Sequence, residues 1–296
     1  MNISYEQIKT FVAVVELGSF SAAAKQLKKH RTTLGQAISN LEVEVNMELF
    51  DRTSRYPKPT ENGHILYQQA KNLAETTKSF EQLCADRARG IEGQVTIYLS
   101  ELVPRELISD VIQDVRKTYP RVKVNWLHRS HHEAKQAFEE GTADLALMLV
   151  PTGNAISSFE YTYLANLPFV FCATPAFNEQ NQLKDLLSLK QTRQLQMEDY
   201  HYAGIANTLT ISNFAQRIES LSVIRQLLLS SDGWAVIPEH CVKDLIDSSQ
   251  LQTLKLNVIH TKVLFPLSLW SRKITPGPVT RDIIKLFKAH SSNYSL

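Results

Sequence analysis

The stretch FVAVVELGSFSAAAKQLKKHRTTLGQAISNLEVEVNMELFDRT, residues 11–53, decides the fold of the N-terminal end. Just before it, Ser4 and Gln7 have the spacing of a capping box, which predicts a helix starting near Tyr5. Ile8, Phe11, Val12 and Val15 recur on one face of that helix. Gly18 suits the left-handed position just past its end. Ser19 or Ser21 can cap a second helix carrying Ala22, Ala23, Ala24 and Leu27, whose small side chains allow close packing. Lys28-Lys29-His30 is a short polar break, and a third helix buries Leu34, Ile38, Leu41 and Val45.

Three short helices with a tight turn between the second and third form a helix-turn-helix pattern, whose last helix enters a DNA major groove by its N-terminal end. The residues exposed there are His30, Arg31, Thr32, Thr33 and Gln36, with Ser21, Lys28 and Lys29 beside them. Arginine can fork onto guanine and glutamine onto adenine, and threonine can donate, accept or touch a thymine methyl. The segment that follows, Leu49 to Thr60, holds two prolines and three cations and reads as a basic wing. Arg52, Arg55 and Lys58 would lie near phosphates or a minor groove. Periodicity alone also allows three amphipathic helices with a solvated basic face.

The bulk composition gives no hint of DNA. A formal net charge of +2 over 296 residues is nearly neutral, so any contact rests on the local cluster from Lys25 to Arg31, which contains no acid. A chain of this length suits two or three domains at roughly 100–200 residues each. With 43% hydrophobic and 21% charged residues the balance is that of a globular protein. Cys84, Cys172 and Cys241 are sparse and have no metal or redox spacing, which fits a reducing cytoplasm. The N-terminus lacks the pattern of a signal peptide, and no apolar run of about 18 residues predicts a membrane span.

The ordered detail of the head adds more. FVAVVELGSFSAAAKQL, the helix with Leu34 and Ile38, AISNLEVEVNMELFDRT and TENGH together resemble the DNA-binding end of the LysR-type transcriptional regulators, densely over residues 3–64. The resemblance implies a winged helix-turn-helix whose third helix reads DNA. The family commonly opens that helix with small polar residues; here His30-Arg31-Thr32-Thr33 stands instead, and Gly35 replaces a usual serine. The base preference of relatives therefore does not transfer.

Thr60 can cap a long helix reaching about Arg89. Leu66, Ala70, Leu73, Thr77, Phe80 and Cys84 alternate spacings of four and three, a heptad seam of the kind that pairs helices. An ordinary core helix is the alternative; the family resemblance implies a dimerising linker. Gly90 and Gly93 mark the exit.

Beyond Gly93 strands and helices alternate. Val95–Leu99, Val122–Leu127 and Asp144–Val150 read as strands, with helix faces at Leu107–Val115 and Glu133–Glu140 between them. Then follow a strand at Pro168–Ala173, a helix at Leu183–Leu189, strands at Tyr202–Ile205 and Ile211–Phe214, and a helix at Leu221–Leu229. A strand at Val263–Trp270 and an amphipathic helix carrying Val279, Ile283, Ile284 and Phe287 close the chain. Such alternation implies a parallel sheet with helices on both faces. GQVTIYLSELVP, TYPRVKVNWL, GTADLALML, LPFVFCATP and GWAVIPEH resemble the effector domain of the same family, which is similar to periplasmic solute-binding proteins.

The expected architecture is α/β in sum: an all-α winged helix-turn-helix over residues 1–59, a linker and dimerisation helix over 60–90, and a two-lobed effector domain of periplasmic-binding-protein type over 91–296. Lobe I would comprise 91–162 and 266–296, and lobe II 163–265. Ligands of open α/β sheets sit beyond the carboxyl ends of the strands. Ser100, Glu101, Arg129 and Ser130 are the candidates from one lobe, and His201 and Tyr202 from the other. Arg129 can hold a carboxylate in bidentate fashion, or simply lie solvated on the surface. Glu101 argues against an acidic effector unless it is itself paired. His128, His131 and His132 lack the i, i+4 spacing of helical zinc sites, so no metal and no cofactor are expected.

Expected partners are double-stranded operator DNA, a small-molecule effector, a second copy of the chain in a homodimer or homotetramer, and RNA polymerase. A solute-binding transport protein would need a signal peptide and no helix-turn-helix. An enzyme is disfavoured, because the G-x-S-x-G elbow, the Walker loop, the dinucleotide glycine fingerprint and H-E-x-x-H are all missing. A thiol-based redox sensor on the same fold needs two reactive cysteines that can meet.

Overall fold

The computed structural model describes residues 1–51, 53, 56–149, 159–256, 262–272 and 275–292. These form two compact units, Met1–Arg89 and Gly90–Leu296.

In the first unit α1 (Tyr5–Leu17), α2 (Phe20–Leu27) and α3 (Arg31–Val45) begin and end as their caps dictate. Ser4 accepts the Gln7 N–H at 3.3 Å and the Gln7 side chain accepts the Ser4 N–H at 2.7 Å, a reciprocal capping box. Ser19, not Ser21, caps α2 by accepting the Ala22 N–H. The turn into α3 is made by Lys28 at φ 52°, a left-handed position held by a lysine. Phe11, Val14, Ala23, Leu34, Ile38, Leu41, Leu49 and Phe50 close the core. Glu42 is buried, and its carboxylate accepts the N–H groups of Leu49 and Phe50 at 2.8 and 3.2 Å. It thereby fixes the point where the chain leaves the helices.

The wing is short. β1 (Phe50–Asp51) pairs antiparallel with β2 (Lys58–Pro59). Arg52 and Arg55 lie outside the described residues. Thr60 then caps α4 (Glu61–Ala88), about 42 Å long at 1.5 Å per residue. Gly63 donates its N–H to the Thr60 hydroxyl, and a Cβ there would stand 2.3 Å from the Leu49 carbonyl oxygen, so glycine is required.

The second unit carries β3 (Gln94–Leu99), α5 (Arg105–Thr118), β4 (Lys123–His128), α6 (His131–Glu140), β5 (Leu145–Leu149) and β6 (Phe159–Ala173). It continues with α7 (Pro175–Asn181), α8 (Leu186–Lys190), β7 (Gln194–Met197), α9 (Asp199–Tyr202), α10 (Ala206–Leu209), β8 (Ala215–Ile218), α11 (Leu221–Leu229) and β9 (Trp234–Pro238). A single 3-10 turn, α12 (Lys243–Asp247), β10 (Gln252–Thr253), β11 (Lys262–Arg272) and α13 (Pro278–Ser291) complete it. Leu107, Val111 and Val115 of α5 are buried, each worth roughly 1.5–3 kcal/mol of apolar transfer.

The sheet order is β4-β3-β5-β11-β6-β9-β7-β8, with β10 on β6. The expected parallel sheet is a mixed one. Two parallel triplets, β4-β3-β5 and β9-β7-β8, flank a long antiparallel ribbon of β6 and β11. That ribbon pairs from Arg272↔Phe159 to Lys262↔Val170, with Leu264 opposite Pro168, Pro266 opposite Asn166, and a register shift at Leu267/Ser268. β6 is longer than the Pro168–Ala173 segment the sequence suggested. The strands expected at Tyr202–Ile205 and Ile211–Phe214 are absent: Tyr202 ends α9, and the strands are instead β7 and β8. The cause is chemical. β7 reads QLQM, and buried Gln194 accepts the N–H groups of Ile211 and Ser212 while donating to the Leu209 carbonyl. One side chain thus does the pairing that a strand at 211–214 would have done.

Candidate nucleic-acid interface and effector cleft

At the head, Ser21, Lys28, Lys29, His30, Arg31, Thr32, Thr33 and Gln36 are all exposed, as the periodicity requires. His30 occupies the N-cap of α3 in extended geometry without making a side-chain cap. The first N–H groups of α3 are therefore uncapped by any side chain, the arrangement that suits a phosphate. The cations are less free than their sequence suggests, because Lys29 is ion-paired with Glu6. Gln36 donates to Asn40 on the same face at 2.8 Å. Lys58 is exposed in the wing, opposite Asp51. A recess of about 450 Å³ between α2, α3 and the wing is lined by Arg31, Gly35, Ser39 and Tyr56 among others. Ser39 and Tyr56 were not singled out from sequence; Ser39 lies one helical turn beyond Gly35, the signal that points to it. A Cβ on Gly35 would meet nothing within 4 Å.

The heptad seam of α4 divides in two. Leu66 and Ala70 pack, partly buried, against the head's own core. Leu73 and Phe80 are 48% and 64% exposed, with partly buried Thr77 between them. Cys84 is exposed as well.

In the second unit the carboxyl ends of β3, β4 and β7 and the start of α11 surround a cavity of about 360 Å³. Ser100, Glu101, Arg129, Ser130 and Tyr202 line it as expected, but His201 does not: it is exposed one residue away on the short helix α9. The sequence missed His128, His132, Glu133, Met197, Glu198, Asp199 and Glu219. Glu133 carried a usable signal, since it completes a capping box with Ser130. That box commits the Ser130 hydroxyl and starts α6 at His131, earlier than the periodicity suggested.

Arg129 is also committed. It donates to the His128 carbonyl at 2.8 Å, stands 4.0 Å from Glu133, and lies over the Tyr98 ring at 5.6 Å. The helix start near Pro104 turns away from this cavity toward a second recess of about 780 Å³, lined by Arg105, Glu106, Arg225 and Asp244 among others.

Two bonds cross the cleft reciprocally. Glu101, after β3, accepts the N–H of Leu221 at the start of α11 at 2.6 Å. Asp199, after β7, accepts the N–H of His131 at the start of α6, also at 2.6 Å. Burial raises the Asp199 carboxyl above its ordinary range, and Glu133 and Glu101 push it the same way, against the His131 hydrogen bond. Burial lowers His131 to about 4, with Lys135 adding to the effect. His131 packs edge-on against Trp270, and its Nδ1 has no hydrogen-bond partner. Among the described residues no group of three or more His, Cys, Asp or Glu is placed to hold a metal ion, and no helix is long and apolar enough to cross a membrane. Cys172 and Cys241 are buried, and burial pushes both thiols up to about 12, far from a reactive thiolate.

A winged helix-turn-helix followed by an α/β domain with a cleft between two sheet segments defines a ligand-responsive transcription regulator. Comparison places it more closely. Residues 5–64 match the bacterial regulatory helix-turn-helix protein model of the lysR family, and residues 88–291 match the LysR substrate binding domain. The chain belongs to the LysR family. It is 26% identical over 289 residues to the HTH-type transcriptional regulator AceR of Acinetobacter baumannii, covering 96% of each chain. Full-length LysG from Corynebacterium glutamicum has a similar structure, with TM-score 0.54, 15% identity and 99% coverage of both chains. DarR of Vibrio fischeri, solved in complex with DNA, aligns with TM-score 0.50 and 15% identity over 97% of this chain and 99% of that one.

Proposed function

We propose that this regulator reads a specific operator with the N-terminal turn of α3 and is switched by a small molecule in the cleft beyond β3, β4 and β7. The open start of α3 carries the first half of the reading. Uncapped N–H groups and exposed Arg31, Thr32 and Thr33 offer a phosphate seat and base-reading donors at one helix end. In this reading residues 1–59 bind DNA, 60–90 pair two chains, and 91–296 sense the effector, with lobe I at 91–162 and 266–296 and lobe II at 163–265. Leu73, Thr77 and Phe80 supply the pairing face, and the exposure of Leu73 and Phe80 supports that role. Two recognition helices then meet half-sites about one helical turn, or a multiple, apart. RNA polymerase is the further partner through which such a regulator would act.

The testing experiment is genome-wide mapping of bound DNA, followed by anisotropy titration of a recovered fragment. Saturable binding that exceeds binding to random DNA supports the reading. Equal affinity for both sinks sequence-specific recognition.

A further inference from the structure

The cleft has a charge that its position in the fold does not require. Five carboxylates line it, from Glu101, Glu133, Glu198, Asp199 and Glu219, against one guanidinium, Arg129, and two imidazoles, His128 and His132. Most of the groups that would receive an anion are already taken. The backbone N–H of Leu221 points at Glu101, that of His131 at Asp199, and that of Ser130 at Glu133. Arg129 is turned onto the His128 carbonyl and the Tyr98 ring. The N–H groups of Leu221, His131 and Ser130 thus hold carboxylates of the chain itself, and Arg129 is bonded elsewhere, which leaves the two imidazoles as the remaining cationic groups.

On the acidic side there is capacity left. Glu198 is ion-paired with Arg217 at 3.4 Å and stays part-exposed, and Glu219 has no hydrogen-bond or ion-pair partner among the described residues. Asp199 senses the resulting field, since its neighbours Glu133 and Glu101 both raise its proton affinity. An added carboxylate would meet more carboxylates than cations here, whereas an ammonium would relieve their repulsion. Met197 and the half-exposed ring of Tyr202, which leans on His132 at 5.4 Å between centroids, offer apolar cover for a carbon stem and an aromatic face for a cation.

We propose that the effector cleft takes a small organic cation, one or two ammonium groups on an apolar stem, with Glu219 and Glu198 as its carboxylate partners. This rests on the reading of the cleft as the effector site.

The test uses the full chain and charge-matched probes of similar shape: benzylamine against benzoate, and 1,4-diaminobutane against butanedioate. Calorimetry should give saturable heats for at least one amine and none for either carboxylate. Glu219→Gln and Glu198→Gln should each weaken that amine at least fivefold, while unliganded melting temperatures stay within 2 °C. Binding of a carboxylate but neither amine overturns the cation assignment and leaves the cleft an effector site. Failure of both amines to bind overturns the assignment, as does amine binding untouched by both variants. Amine binding that the variants do abolish, with operator affinity unchanged at saturation, keeps the cation site and removes the effector reading instead.

Discussion

Glu101 accepts the backbone N–H of Leu221 across 120 residues of sequence, and so caps a helix that belongs to the opposite side of its own cleft. The bond is charge-assisted and sits where the N-terminal end of α11 favours a negative group. Glu101→Gln should therefore cost the effector domain about 0.5–1.5 kcal/mol, below the roughly 1.5–3 kcal/mol of hydrogen bonds to charged groups, because the side chain is partly solvated and glutamine keeps an acceptor oxygen. Urea unfolding measures the loss. Hydrogen exchange at Leu221 should accelerate in parallel, and an unchanged exchange rate would mean that the bond holds nothing closed.

Glu42 presents a different case, a buried carboxylate bonded to its own head. Glu42→Ala leaves the N–H groups of Leu49 and Phe50 without their acceptor inside the head, at about 2–3 kcal/mol. Both melting temperature and operator affinity should fall, since β1 and the wing start from those two residues.

Two glycines in the head should respond with opposite signs. Gly35→Ala adds a methyl into open space and improves helix propensity, so α3 should gain about 0.5–1 kcal/mol. Gly63→Ala forces a methyl to within 2.3 Å of the Leu49 carbonyl, a backbone atom that cannot swing away, and should destabilise the head. Thermal denaturation of the two variants beside the parent decides it. A Gly35→Ala protein that is no more stable would show that α3 tolerates its glycine for a reason inside the fold.

Arg31→Ala should weaken operator binding by about 1–3 kcal/mol if the guanidinium reads a base. Titrations on the operator and on random DNA of equal length separate the roles. An equal loss on both assigns Arg31 to phosphate alone.

The largest histidine contribution to the pH response of the effector domain comes from His131, with buried His240 lowered in the same direction. The folded value of His131 is lowered to about 4 from an ordinary 6.5, so below pH 6.5 the unfolded chain takes up a proton that the folded one refuses. Stability is therefore lost as pH falls from about 6.5 towards 4, at up to about 1.4 kcal/mol per unit. Asp199, whose folded value is raised, works the other way: its contribution is present at low pH and is lost as pH rises through that folded value. His131→Phe removes its own share of the acid-side loss and leaves that of His240, which burial also lowers, against the opposing Asp199 trend. Urea midpoints between pH 4 and 7 should fall towards acid in the parent and fall less steeply in the variant.

The head was almost wholly legible in the sequence, because caps and turns act over three or four residues: Ser4 with Gln7, Gly18, Thr60. The cleft was only half legible. Ser100, Glu101, Arg129 and Ser130 follow directly from the ends of two recognisable strands. Glu198 and Asp199 follow β7, whose glutamines disguise a buried strand as a polar loop, and Glu219 precedes α11. Only the crossing ribbon brings them to the first set, and no local pattern encodes that approach. The α4 seam reads ambiguously for a related reason: its heptad period runs unbroken through Leu66 and Ala70, yet the same spacing also suits packing onto the head's own core.

The ribbon of β6 and β11 has a mechanical consequence. Pro168 and Pro266 each lack a backbone donor and lie two positions apart in cross-strand register, close to the shift at Leu267/Ser268. Missing donors and a register shift thus fall on one short stretch of the ladder. A load applied across the cleft would concentrate its bending at this point, as a leaf spring flexes where it is filed thin, and the paired strands would return it to rest without any segment having unfolded.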